Sequence, residues 1–147
     1  MQSRQRELRD RRIACTHGAY SRNCVVLRLR NVSIRLKRVY DKPANTDGHR
    51  VLVDRLWPRG LTKSEAQIDE WFKEIAPSAA LRKWYKHEPD KWKEFKKKYA
   101  AELDEHCEQL EKLAGEARTR TVTFLFSAKD IERNNAVALR EYIEKLL

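Results

Sequence analysis

The sequence predicts an α/β fold, a small three-layer domain in which helices pack on a short, mainly parallel sheet. Three observations carry this expectation. Residues 51–53 and 121–126 are short apolar runs, rich in β-branched or aromatic residues, of the kind that form buried strands. Between them lies a long stretch with helical periodicity, enough for the two strands to run parallel. A further helical pattern follows the last strand.

The elements follow in order. In residues 34–39, Ile34 and Leu36 alternate with Arg35 and Lys37, as in a half-exposed strand. Pro43, Asn45, Asp47 and Gly48 then give a dense turn signal. Val51, Leu52 and Val53, extended by Arg50 and Asp54, predict a central strand covered on both faces. After the loop Trp57-Pro58-Arg59-Gly60, Ser64-x-x-Gln67 reads as a capping box. Ile68, Trp71, Phe72 and Ile75 recur behind it at helical spacing, up to Pro77. Ser78 is placed to cap a second helix presenting Leu81, Trp84 and Tyr85 and ending at Pro89.

The longest helix is expected over residues 90–114, from the spacing of Trp92, Phe95, Tyr99, Leu103, Leu110 and Leu113, with Gly115 as its C-cap. A strand at 121–126 and a final helix marked by Ala136, Leu139, Ile143 and Leu146 complete the pattern. Trp71, Trp84 and Trp92 read as core, Cys107 as a packed thiol, and only Trp57 falls out of register.

The formal net charge of +10 is unevenly placed. Residues 1–38 hold 11 Lys or Arg against 2 Asp or Glu, whereas residues 39–147 hold 21 against 20. A basic arm of this kind can bind nucleic acid by releasing counterions. Its lack of turn punctuation and helix caps equally suits a disordered extension or an overlong gene start, with Val32 as the alternative start. The expected division is a basic extension at 1–32 and a domain at 33–147. Cys15, Cys24 and Cys107 are odd in number and scattered, which argues against a disulfide framework and for a reducing compartment. No run approaches the roughly 18 consecutive apolar residues of a membrane span. A cytoplasmic protein with no membrane partner is expected.

If the strands are parallel, their C-terminal ends share one edge, and open α/β sheets bind ligands in the crevice beyond that edge. Asp54, Arg55 and Arg59 follow one strand, Ser127 and Lys129 another, and Tyr40 and Asp41 the first. Trp57 offers a wall, and the last helix is expected to begin beside residues 127–130, where its free N–H groups favour an anion. Arginine forks, a lysine and a helix N-terminus point to a phosphate- or carboxylate-bearing small molecule. An enzyme of unknown reaction is the alternative, with Asp54, Ser127 and Lys129 as catalytic candidates. Each has a plainer role: Asp54 pairing with Arg55 or Arg59, Ser127 capping the last helix. Ser-x-Lys does not by itself make a nucleophile and base. His49, His87 and His106 lack the paired spacing of a metal site, so no metal is expected, and no Gly-rich phosphate loop or other motif names a cofactor.

The blocks "LKRVYD", "DGHRVLVDRLWPRG" and "LFSAKD" together resemble the YeaO-like branch of the domain of unknown function 488, over about residues 33 to 147. The resemblance implies a small cytoplasmic bacterial or archaeal protein with no established reaction. Its motif positions fall on Asp41, Asp47, Arg50, Asp54, Arg55, Trp57, Pro58, Arg59, Gly60, Ser127, Ala128 and Lys129. It adds Arg50, Asn134 and Asn135 to Asp41, Arg55, Trp57, Arg59 and Lys129 as expected ligand-binding residues. One departure accompanies it. Members similar to this chain often carry His where Asn135 stands, and Asn can hydrogen-bond but cannot act as a general base near neutral pH.

Overall fold

The computed structural model describes residues 32–146; apart from Val32, the expected basic extension lies outside them. The fold class is α/β. Strand β1 (Ile34–Arg38) is followed by β2 (His49–Leu52), the single turn α1 (Lys63–Ala66) and β3 (Glu70–Trp71). Then come α2 (Ala79–Tyr85), α3 (Trp92–Leu103), α4 (Cys107–Thr119), β4 (Val122–Phe126) and α5 (Asn135–Leu146). The sheet order is β1-β4-β2-β3 and every pairing is parallel. Both apolar runs of the sequence are thus interior strands, and all five residues of β4 are buried.

Alternation along β2 and β4 divides the core between two faces. Val51, Val53, Val122, Phe124 and Phe126 pack with the apolar stripes of α2, α3, α4 and α5 in the main core. Leu52 and Leu125 point the other way, into a small cluster with Val39 and Ala66, closed by Trp57, Leu61 and Ile68. The three layers are therefore unequal: four helices cover one face, and one helical turn with its loops covers the other.

A buried polar network completes the thin face. Asp47 accepts hydrogen bonds from Lys37 Nζ at 3.1 Å and from Arg50, and its backbone carbonyl accepts one from Thr123 Oγ1 at 2.6 Å. Arg50 also donates to the carbonyls of Gln67 and Ala66 at 3.0 and 2.9 Å, so it caps the C-terminal end of α1. Burial pushes the Asp47 carboxyl up, but the Ala44 N–H, Lys37 and Arg50 outweigh it and hold the group below the usual carboxylate range. At Gly48, φ is +65°, and a Cβ there would meet the Thr121 carbonyl oxygen at 2.2 Å. Glycine is required where the chain turns into β2.

Two helix expectations need correction. The helix expected from Ser64 to Ile75 is one turn followed by a strand. Its capping box lies two residues earlier, where Thr62 Oγ1 accepts from the Glu65 N–H and Glu65 accepts from the Thr62 N–H. Arg50 takes the last carbonyls, Gln67 turns left-handed at φ 46°, and the chain joins the edge of β2 through Asp69 N–H to Arg50 O and Phe72 N–H to Leu52 O. Helical spacing of Ile68, Trp71, Phe72 and Ile75 is met instead by two faces of the sheet. Trp71 is 37% exposed, not core, whereas Trp84 and Trp92 are partly buried against the main cluster.

The helix expected over 90–114 is two helices broken at Asp104-Glu105-His106. Between Leu103 and Leu110 no large apolar residue faces the core, so nothing holds one continuous stripe there. Gly115 lies inside α4 and is not its C-cap. Cys107, expected as a packed thiol, opens α4 half-buried and disulfide-bonded. Among the described residues no helix is long and apolar enough to cross a membrane.

Candidate functional site

The C-terminal ends of β1, β2 and β4 meet at a cleft of about 420 Å³. Tyr40 enters it beyond β1, residues 54–59 beyond β2, Ser127 and Ala128 beyond β4, and Asn135 from the first position of α5. The opposite wall comes from Arg82 and Tyr85 of α2, from His87 just after it, and from Phe95 of α3. A parallel sheet places these ends together because all its strands point the same way.

Asp54 is the tether at the floor of the cleft. Its Oδ2 accepts the Ser127 backbone N–H at 2.8 Å and the Ser127 hydroxyl at 2.7 Å. Its Oδ1 accepts Asn135 Nδ2 at 3.1 Å, and the same amide donates to Val53 O at 2.9 Å. The Asp54 carbonyl accepts Trp71 Nε1 at 2.7 Å. One half-buried carboxylate thus joins the exits of β2 and β4 to the start of α5. Its pairing is with Ser127 and Asn135, not with Arg55 or Arg59. Ser127 does not cap α5 either: that helix begins at Asn135, and Asn134 Oδ1 accepts the Val137 N–H at 3.1 Å.

The walls are held by hydrogen bonds and ring contacts. Trp57 donates Nε1–H to Leu61 O at 2.7 Å and meets Trp71 edge-on with ring centroids 5.5 Å apart. Tyr40 donates to Arg59 O at 3.1 Å, Pro58 is buried, and Gly60 turns at φ +78°. Tyr85 stacks on Phe95 at 4.3 Å and donates to Arg133 O at 3.0 Å. Burial raises the Tyr85 phenol, Asp130 adds to this and Arg133 opposes it; the net direction is upward, so the hydroxyl stays a donor. Arg55, Arg59 and Arg82 are exposed at the cleft and, among the described residues, form no ion pair or side-chain hydrogen bond. Asp54 is the one acid in the lining.

A family model described as the inactive DUF488-N3 subclade matches residues 33–147. The chain belongs to that family. It is 43% identical over 115 residues to the uncharacterised protein YeaO of Escherichia coli, covering 78% of this chain and 100% of that protein. It is 36% identical over 117 residues to the uncharacterised protein Rv3073c of Mycobacterium tuberculosis, covering 78% of this chain and 97% of that one. The same figures hold for the uncharacterised protein Mb3100c of Mycobacterium bovis. No solved structure matches the chain.

Of the residues expected at a site in this DUF488-N3 chain, the cleft brings together Asp54, Arg55, Trp57, Arg59, Ser127 and Asn135. It does not include Asp41 or Lys129, both exposed, Arg50, which is buried with Asp47 and α1, or Asn134, which is fully buried as the α5 cap. Lys129 leaves the cleft because the loop after β4 runs on to Asn134 before α5 begins. The sequence carries no signal for Arg82, Tyr85 and His87 as site residues: Tyr85 belongs to the apolar stripe of α2, and that stripe does not say where Arg82 or the residues after the helix lie.

Proposed function

We propose that the cleft of this DUF488-N3 domain binds an anionic small molecule bearing a phosphate or carboxylate, and holds it without chemical conversion. The observation that carries this reading is the trio Arg55, Arg59 and Arg82, three cations at one cleft with no protein counter-ion among the described residues. Guanidinium groups bind phosphate and carboxylate through paired N–H donors, and they keep their charge at any working pH. The start of α5 beside them adds partial positive charge. Trp57 and Tyr40 supply flat apolar surface for a ring attached to the anion.

The alternative, an enzyme using Asp54 with Ser127 or Lys129, draws support from the 2.7 Å Ser127–Asp54 hydrogen bond. Lys129 lies outside the cleft. Asp54 spends both oxygens on tethering, and the subclade's description as inactive favours binding. Nucleic-acid binding through the basic arm is a separate activity that calls on none of these residues.

Titration calorimetry of the full chain against nucleotides, sugar phosphates, dicarboxylates and short oligonucleotides tests the proposal. A small anion should bind, and Arg59→Ala or Arg82→Ala should each weaken it at least tenfold, about 1.4 kcal/mol. If no small anion binds, or affinity survives both substitutions, the cleft is not an anion site. Steeply salt-dependent binding of oligonucleotides alone would assign the activity to the arm.

A further inference from the structure

The opposite edge of the sheet holds a second cluster. His49 opens β2, Glu70 opens β3, and Glu116 reaches them from the last turns of α4. His49 Nε2 lies 3.4 Å from Glu70 Oε2 and 3.2 Å from Glu116 Oε2. An imidazole nitrogen carries one proton or one lone pair, so it can serve only one of these oxygens. Here it bonds Glu70, while Glu116 Oε2 is buried and accepts no hydrogen bond among the described residues. Arg120 approaches that oxygen to 3.4 Å, but without hydrogen-bond geometry, and its own side chain is half in solvent. A buried carboxylate oxygen left in this way is costly.

We propose that His49, Glu70 and Glu116 form a binding site for a divalent transition-metal ion, of which zinc is the best match. For Zn–N and Zn–O bonds of about 2.0–2.2 Å, the edges of a ligand tetrahedron measure ~3.3–3.6 Å, close to the spacings around His49 Nε2. One ion at the centre satisfies all three ligand atoms at once, where a single proton satisfies one pair. The surroundings are arranged for it. Asp69 lies 3.7 Å from His49 Nδ1, on the side where a carboxylate orients a metal-bound imidazole but longer than a hydrogen bond, and is itself fixed by the Arg50 backbone N–H at 2.8 Å. Lys112 holds the other Glu70 oxygen, leaving Oε2 for the ion, and Arg120 is the group the ion displaces. Three protein ligands leave a fourth position for water. The ion would clasp the start of β2 and β3 to α4, far in sequence and joined only by the fold.

The full chain, stripped with chelator, is titrated with Zn²⁺ by calorimetry and followed by thermal denaturation. One equivalent should bind and raise the melting temperature, while Glu116→Gln and His49→Ala should each weaken affinity at least tenfold and Arg59→Ala should leave it unchanged. Failure of the wild-type chain to bind zinc, or wild-type affinity in both ligand variants, overturns the site. Co²⁺ added to the wild-type chain gives a readout that needs no variant to fold. Visible bands of tetrahedral nitrogen and oxygen ligation support the proposal, and an intense thiolate-to-cobalt charge-transfer band would place the metal on cysteines and overturn it.

Discussion

Replacing Asp54 with Asn keeps the shape of the side chain and removes what makes it a tether. In the native cleft its two oxygens accept hydrogen bonds from Ser127 N, Ser127 Oγ and Asn135 Nδ2 at 2.8, 2.7 and 3.1 Å. An amide has one oxygen. With that oxygen toward Ser127, the new NH₂ opposes the Asn135 NH₂; flipped, it opposes the Ser127 N–H while the Ser127 hydroxyl can turn to accept from it, so either way one bond is lost. Hydrogen bonds to a charged group contribute about 1.5–3 kcal/mol each, so one lost and two weakened cost ~2–4 kcal/mol, toward the lower end for a half-buried site. For a domain of this size that lowers the melting temperature by roughly 10 °C. Urea denaturation followed by tryptophan fluorescence is well suited, because Trp71 donates directly to the Asp54 carbonyl. A double-mutant cycle with Asn135→Ala should show coupling above about 0.5 kcal/mol. Unchanged or increased stability in Asp54→Asn would refute the tether and favour a carboxylate held under strain for chemistry.

Other substitutions separate structure from binding. Arg50→Met should cost about 2–4 kcal/mol in denaturation experiments, since it removes one of the two cations on Asp47, leaving Lys37, and uncaps α1, while changing anion affinity less than twofold; a reversed pattern would return Arg50 to the ligand site. Because the Asp47 carboxyl is depressed in the folded state, its stabilisation is fully present above the unfolded value of about 3.9 and is lost as pH falls through the folded value. Asp47→Asn should therefore flatten the acid limb of a stability–pH curve, and an unaltered limb would exclude Asp47 as its source. Gly48→Ala must break either a positive φ or the 2.2 Å approach to Thr121 O, so it should destabilise by more than ~1 kcal/mol, measured by thermal denaturation.

The sheet was legible because its signal is local and doubly determined. Residues 51–53 and 122–126 carry apolar residues on both faces, the mark of interior strands, and the long helical crossover between them permits the parallel pairing. From those two observations the C-terminal edge of the sheet follows, and with it the place of Asp54, Arg55, Arg59 and Ser127 at the cleft. Residues 64–75 were not legible because four apolar residues at helical spacing also suit a turn, a short edge strand and a 3-10 turn that bury Ile68 on one face of the sheet and Phe72 and Ile75 on the other. What decides between them is Arg50, distant in sequence, whose guanidinium takes the carbonyls of Ala66 and Gln67. The same residue shows why a motif position need not be a ligand position: it reads as part of a charged signature, yet it is buried under the thin face. His49, Glu70 and Glu116 are separated by two crossovers, so no spacing rule could join them.

Asn135 links the tether to the question of chemistry. Its amide makes two donations, to Val53 O and to Asp54 Oδ1, and both serve the geometry of the cleft. The resemblance to YeaO-like domains implies His at this position in many members. An imidazole could make one such donation and also exchange a proton near neutral pH, beside a carboxylate that already holds a serine hydroxyl. Asn supplies the hydrogen bonds and withholds the proton. The fold therefore keeps the shape of the cleft, with its floor fixed by Asp54 and its rim lined by guanidinium groups that have no ion pair among the described residues, while lacking a group at Asn135 that can act as an acid or base. A site so built can still discriminate ligands by charge and shape, which is why binding, with three arginines as its first test, is the function that this arrangement best supports.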